Sequence, residues 1–221
     1  MLVPSKHRLQ LATFVSIVSL ASHILPQTVS APPSHNTRPP AAKQWEFTLI
    51  TDGFIIPGQQ SYANPNFSAD HRWLYLEARY NSEDFRTGSA WIGYNFAVGK
   101  NLVLNITPMI GGVFGRTNGV APGCEAALTY KKLEASISNE YVFATEKSRS
   151  YYYNWPQVTY SPVDWLQLGL VAQRTKTYHT SLDTQRGFFV GVSHKSMEVT
   201  SYVFNAGWTD PTVVLELGFS F

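Results

Sequence analysis

The sequence predicts an all-β fold: a closed antiparallel transmembrane β-barrel of about twelve strands, or ten if the first two segments are not both strands. Three observations carry this. From Trp45 onward apolar residues recur with a period of two, segment after segment, and no helical periodicity competes. No stretch beyond the N-terminal region offers the roughly 18 apolar residues of a helical span, so an exported membrane protein of this sequence has only the barrel available. The linkers alternate between short and long, which sorts them onto two sides of one sheet.

The first 31 residues read as a signal peptide. Lys6, His7 and Arg8 form a basic region, Leu9 to Leu25 is mostly apolar, and Val29-Ser30-Ala31 is a small-residue cleavage site. Gln10, Ser16, Ser19, Ser22 and His23 interrupt the run too often for a spanning helix, although an uncleaved anchor is the alternative reading. Residues 32–43, rich in Pro, Ser and Ala, read as a flexible periplasmic lead-in, with an arm folded into the barrel as the alternative. The barrel domain is then 44–221. Losing Lys6 and Arg8 evens the 17 Lys+Arg against 15 Asp+Glu, and a neutral mature chain argues against a nucleic-acid partner. The one cysteine, Cys124, excludes an intramolecular disulfide framework.

The expected strands follow in order. Trp45–Ile56 is rich in β-branched and aromatic residues and ends at Pro57-Gly58. Ser61–Ala69 is weaker, being interrupted by Pro65. Trp73–Asn81 places Leu74, Leu76, Ala78 and Tyr80 on one face and Trp73, Tyr75, Glu77 and Arg79 on the other. Gly88–Val98 sends Ala90, Ile92, Tyr94 and Phe96 outward, with Ser89, Trp91, Gly93 and Asn95 inward. Leu102–Phe114, Gly123–Tyr130, Leu133–Phe143, Tyr151–Ser161, Trp165–Thr175, Gly187–His194 and Met197–Asn205 continue the rhythm to the final strand, Pro211–Phe221. The tight turns at Asp70–Arg72, Gly99–Asn101, Lys131–Lys132, Pro162–Asp164 and Lys195–Ser196 then fall on the periplasmic side, and the longer linkers fall outside.

In the last strand Val213, Leu215, Leu217, Phe219 and Phe221 share a face, and the chain stops on an aromatic in phase with it. This resembles the C-terminal strand of bacterial outer-membrane β-barrels, and the resemblance implies an assembly signal at Leu217, Phe219 and Phe221. It also implies an outer-membrane location, with membrane lipids and the outer-membrane assembly machinery as partners. A soluble sandwich strand ending in Phe is the alternative. Leu76–Phe96, with Pro108–Gly115 after it, is similar to a group of outer-membrane barrel proteins without assigned activity, so no functional residue carries over.

The two faces differ as a membrane barrel requires. Leu133, Ala135, Ile137, Tyr141 and Phe143 face out, broken only by Asn139, while Glu134, Ser136, Ser138 and Glu140 face in. Aromatics crowd near strand ends (Trp45, Tyr62, Trp73, Tyr80, Tyr130, Tyr151, Tyr152, Tyr160, Trp165, Trp208), as interfacial girdles do. The expected lumen carries Glu46, Glu77, Arg79, Glu125, Glu134, Glu140, Glu198 and Glu216, with Arg79 paired to Glu77 or to a cross-strand carboxylate such as Glu46. Two functions follow: a narrow passive channel for small polar or cationic solutes, or a side-chain-filled structural barrel whose external loops, chiefly Lys176–Arg186, bind a partner.

A lipid-modifying enzyme is the third reading. Its candidates are His179 with Ser181, and His194 with Ser193 or Ser196, but no residue orients either imidazole and no nucleophile elbow is present. No enzyme is therefore expected, nor a cofactor, and no metal-ligand spacing appears. Gly111, Gly112 and Gly115 are expected to ease barrel curvature.

Overall fold

The computed structural model describes residues 45–55, 61–207 and 211–221. The expected signal peptide, the lead-in and Trp208 lie outside the described residues. Twelve antiparallel strands form one sheet: β1 Glu46–Ile55, β2 Tyr62–His71, β3 Leu74–Tyr80, β4 Thr87–Tyr94 with its continuation Phe96–Gly99, β5 Leu102–Gly115 and β6 Gly119–Tyr130. The rest are β7 Leu133–Ala144, β8 Tyr151–Val163, β9 Leu166–Thr177, β10 Asp183–His194, β11 Met197–Phe204 and β12 Thr212–Ser220. Both segments in doubt, β1 and β2, are strands, so twelve rather than ten is the number.

Each strand pairs with its sequence neighbours, and β1 pairs with β12, which closes the barrel. At this seam Thr51 faces Leu217 and Asp52 faces Glu216. Phe47 and Phe221 complete it by exchanging backbone bonds, each N–H donating to the other's carbonyl at 2.9 Å. The two halves of β4 keep one register against β5, from Gly93 opposite Met109 to Phe96 opposite Ile106. Asn95, between them, donates to Asp70 and accepts from the Thr107 hydroxyl, both at 2.8 Å, so the interruption tightens the wall. Apart from a single 3-10 turn at Lys147–Arg149, no helix occurs among the described residues, and none is long and apolar enough to cross a membrane.

Polarity is inverted relative to a soluble sandwich. On β12 the outward Val213, Leu215, Leu217 and Phe219 are exposed while Val214 and Glu216 are buried. β4 does the same, exposing Ile92, Tyr94 and Phe96 and burying Ser89 and Trp91. An apolar band exposed around a closed barrel, with carboxylates inside, is the arrangement of a transmembrane barrel of an outer membrane.

Three placements differ from the sequence reading. Trp73 does not face the lumen: it sits in the β2–β3 turn, exposed, and stacks on the outward Tyr94 with ring centroids 5.3 Å apart. Tyr62 and Tyr151 are not girdle residues. Tyr62 stacks on the buried Phe54 at 4.6 Å, and Tyr151 is buried in the interior. Trp45, Tyr80, Tyr130, Tyr160 and Trp165 are exposed, as girdle residues are. Gly111 does more than ease curvature: it faces inward opposite Trp91, and a Cβ there would overlap the indole.

Candidate functional site

The interior has two unlike halves. Towards the short-turn end the inward residues are polar and half-buried, among them Thr48, Ser68, Thr107, Thr129, Gln157 and Gln167. Towards the long-loop end they are buried, some of them polar, as Asn64, Thr87, Gln173 and Thr175 are, and many of them large and apolar. Phe54, Val113, Val142, Tyr153, Trp155, Phe204 and Val214 join one packed cluster. Trp155 meets Tyr202 edge-on at 5.5 Å and Phe204 at 5.2 Å, and Phe189 lies 5.2 Å from Tyr202. Glycines seat two of these rings flat on the wall: Gly111 under Trp91 and Gly169 under Phe189. The inward side chains of the short-turn half are thus partly accessible, and a packed cluster occupies the long-loop half.

Arg79 lies where the halves meet. Its position on β3 points it inward, with only 1% of its side chain accessible. Nη2 donates to Glu77 at 2.6 Å and Nη1 to Glu140 of β7 at 2.9 Å, and Nη1 lies 3.5 Å from Glu83. The guanidinium also stands 4.3 Å over the Trp91 ring, a cation–π contact in a dry setting. Glu77 is two residues away on the same strand face, so period-two geometry alone delivers it. Glu140 arrives from across the barrel and is held by the Tyr151 hydroxyl, which donates at 3.3 Å.

Glu83 was not foreseen, because alternation assigns no face to a loop residue. The segment between β3 and β4 folds inward, and Glu83 accepts from the Ser89 hydroxyl at 2.6 Å and the Trp91 indole N–H at 3.2 Å. Its neighbours pin the fold. Ser82 donates to Asn66 at 2.8 Å, and Asp84 accepts from the Thr117 hydroxyl at 2.6 Å. Arg149 and Arg116 also approach Asp84, at 3.4 and 3.7 Å, so three outer loops meet there. In the Lys147–Arg149 loop, hydrogen bonds from Arg149 and Ser148 hold the Glu146 carboxyl below its ordinary range.

The remaining sequence candidates lie apart from Arg79. Glu46 is at the short-turn rim, opposite Asp70 and exposed. Glu134 accepts from Thr129 at 3.0 Å and Glu198 from Thr200 at 3.3 Å, both half-buried. Glu125 is buried and faces inward opposite Ser138. Glu216 is buried at the seam, accepts from the Tyr202 hydroxyl at 3.3 Å, and directly opposes Asp52. Asp52 was missed, yet it shares the parity of Glu46, six residues earlier on the same strand, and that signal was available. Facing carboxyls attract a cation or a shared proton between them.

No serine hydroxyl hydrogen-bonds to His179 or His194 among the described residues. His179 is exposed at a positive φ of 58° against Tyr178, and Ser193 donates instead to the Asp164 carbonyl at 3.3 Å. No group of ligands that could hold a metal occurs among the described residues.

No protein-family model and no curated protein matches the sequence. Solved structures do match the fold. The KdgM porin superposes with a TM-score of 0.57 at 14% identity, covering 79% of this chain and 99% of its own. The same porin in complex with disordered oligogalacturonate gives the same values. The NanC porin gives 0.54 at 10% identity, covering 77% and 98%. The chain has the twelve-stranded barrel fold of these porins.

Proposed function

We propose that the protein is a narrow passive outer-membrane channel for small polar or cationic solutes. One observation carries the reading: the charge of the inward face. Asp52, Asp70, Glu77, Glu125, Glu134, Glu140, Glu198 and Glu216 point into the barrel, and Arg79 is the one inward Lys or Arg on the described strands. Arg79 is already engaged by three carboxylates, and Asp70, Glu134 and Glu198 are inward and half-buried with no inward cation beside them among the described residues, so the accessible part of the wall carries net negative charge. Low-dielectric walls focus such a field and raise the local concentration of cations. The porin fold supports a conducting role. A neighbour of the same fold is described in complex with oligogalacturonate, a polycarboxylate, which this wall would repel. We therefore infer a neutral or cationic solute. The terminal Leu217, Phe219 and Phe221 serve in this reading as the assembly signal.

Reversal potentials in a planar bilayer under a KCl gradient test it. We expect small openings with a cation-biased reversal potential, moving towards zero in a Glu125→Gln, Glu134→Gln, Glu198→Gln variant. The packed aromatic half favours a second reading, a structural barrel whose outer loops hold a partner. A folded, inserted protein that never conducts would establish that reading in place of the channel.

A further inference from the structure

The lipid-facing side of the barrel is apolar almost to the outer rim except on one sector. Along β9 the outward residues run Leu166, Leu168, Leu170 and Ala172, and then change to Arg174 and Lys176. Along β10 they run Val192, Val190 and Phe188, and then change to Arg186 and Thr184. Arg174 stands opposite Thr184 and Arg186 opposite Ala172, so the two arginines are diagonal neighbours within reach of one ligand. Lys176 follows two residues above Arg174, opposite Tyr152.

The polar row continues sideways. Asn154 opposes Arg174 and Asn139 opposes Asn154, which explains the one break in the outward face of β7. Tyr152 and Asn154 both donate to Asn139 Oδ1, so these groups satisfy one another. The cations have no such arrangement. All three are exposed, and none forms an ion pair among the described residues. The loop cations Arg116 and Arg149, by contrast, are occupied by Asp84 and Glu146. Elsewhere the outward face stays apolar to its upper end, at Ile55, Phe114 and Phe143.

Height decides what can meet these charges. Eight residues separate Leu166 from Arg174, a rise of about 20 Å at the usual strand spacing and tilt, close to the top of a band about 25 Å tall. Long stems carry the charged heads further towards the polar layer. Cations fixed at that level, with no counter-charge from the protein among the described residues, face the headgroups of the outer leaflet. We propose that Arg174, Lys176 and Arg186 bind the phosphate groups of a phosphorylated outer-leaflet glycolipid of the lipid A type. Guanidinium groups bind phosphate bidentately, and adjacent strands set them at a spacing one headgroup can bridge.

The test uses the folded full-length protein in neutral maltoside micelles, titrated with fluorescent diphosphoryl lipid A. Each cation removed is expected to weaken binding about five-fold, so the R174Q/K176Q/R186Q variant should lose about a hundred-fold. R116Q/R149Q, whose cations are engaged elsewhere, should stay within two-fold of the parent. Heat-modifiable gel migration checks that each variant is folded, and the single R186Q, expected to lose about five-fold, decides the matter should the triple variant misfold. Binding by the folded triple variant or by R186Q equal to the parent's would overturn the proposal. So would equal binding of the dephosphorylated lipid, which would mean a purely apolar contact. Displacement by inorganic phosphate at matched phosphate concentration would also overturn it, by making this a site for free anions.

Discussion

Replacing Arg79 by alanine is the sharpest probe of the interior. The side chain is almost wholly inaccessible and makes bonds of 2.6 Å to Glu77 and 2.9 Å to Glu140, with Glu83 at 3.5 Å. Removing one partner of a buried ion pair costs about 3–5 kcal/mol, because the charge left behind is desolvated and uncompensated. Two charge-assisted bonds at about 1.5–3 kcal/mol each give about 3–6 kcal/mol, an overlapping range by an independent route. The cation–π contact with Trp91 overlaps these terms and is not added. We expect Arg79→Ala to lose about 4 kcal/mol. Urea unfolding in phospholipid vesicles, followed by tryptophan fluorescence, would show it as a midpoint lower by about 2 M if the urea slope is about 2 kcal/mol/M. Replacing all four groups, as Arg79→Met with Glu77→Gln, Glu83→Gln and Glu140→Gln, should recover more than half of the loss, since no buried charge of the cluster is then orphaned. A midpoint for Arg79→Ala within about 0.3 M of the parent would refute the argument. It would mean that water reaches the cluster and the pairs are worth no more than surface ones.

Three further outcomes are expected. Deleting Phe221 removes two backbone bonds to Phe47 and the ring stacked on it at 5.9 Å, so less protein should fractionate with the membrane and more should stay in the periplasm. Unchanged membrane levels would count against the seam and the assembly signal together. Gly111→Val should displace Trp91, shift its emission and cost about 1–3 kcal/mol by overpacking; an unaltered spectrum would show that the seat is not tight. Asp84→Ala frees the inward-folded loop, so trypsin should cut after Arg86 faster while the thermal midpoint moves little, as checked by timed digestion beside a melting curve.

Strand positions and facing were legible because one physical rule governs both. Alternation needs no knowledge of distant contacts, and it placed Glu77, Arg79, Glu140 and Glu216 on the inner face. Its failures have local causes. Trp73 was assigned by extending β3 one residue into a turn, where the chain no longer alternates. Tyr151 and Tyr152 were both placed in a girdle by their nearness to a strand end, although adjacent residues on a strand point to opposite faces. Glu83 was out of reach, since a loop side chain goes where its partners draw it, here Ser89 and Trp91. The aromatic packing of the outer half was equally hidden, because a tyrosine or tryptophan suits lipid headgroups and a dry interior alike.

The seam between the first and last strands has a consequence for how the protein is made. Thr48 and Ser220, which face each other there, are 172 residues apart in sequence. Every other pairing in the barrel joins consecutive strands through a local linker. Hairpins can therefore zip in succession, but the sheet keeps two open edges until β12 has emerged and found β1. An open edge is a template for pairing with any other strand. The interval between synthesis of β1 and docking of β12 is thus the period of greatest exposure to misassembly. A nascent chain stalled anywhere short of its final strand has no partial structure in which both edges are covered.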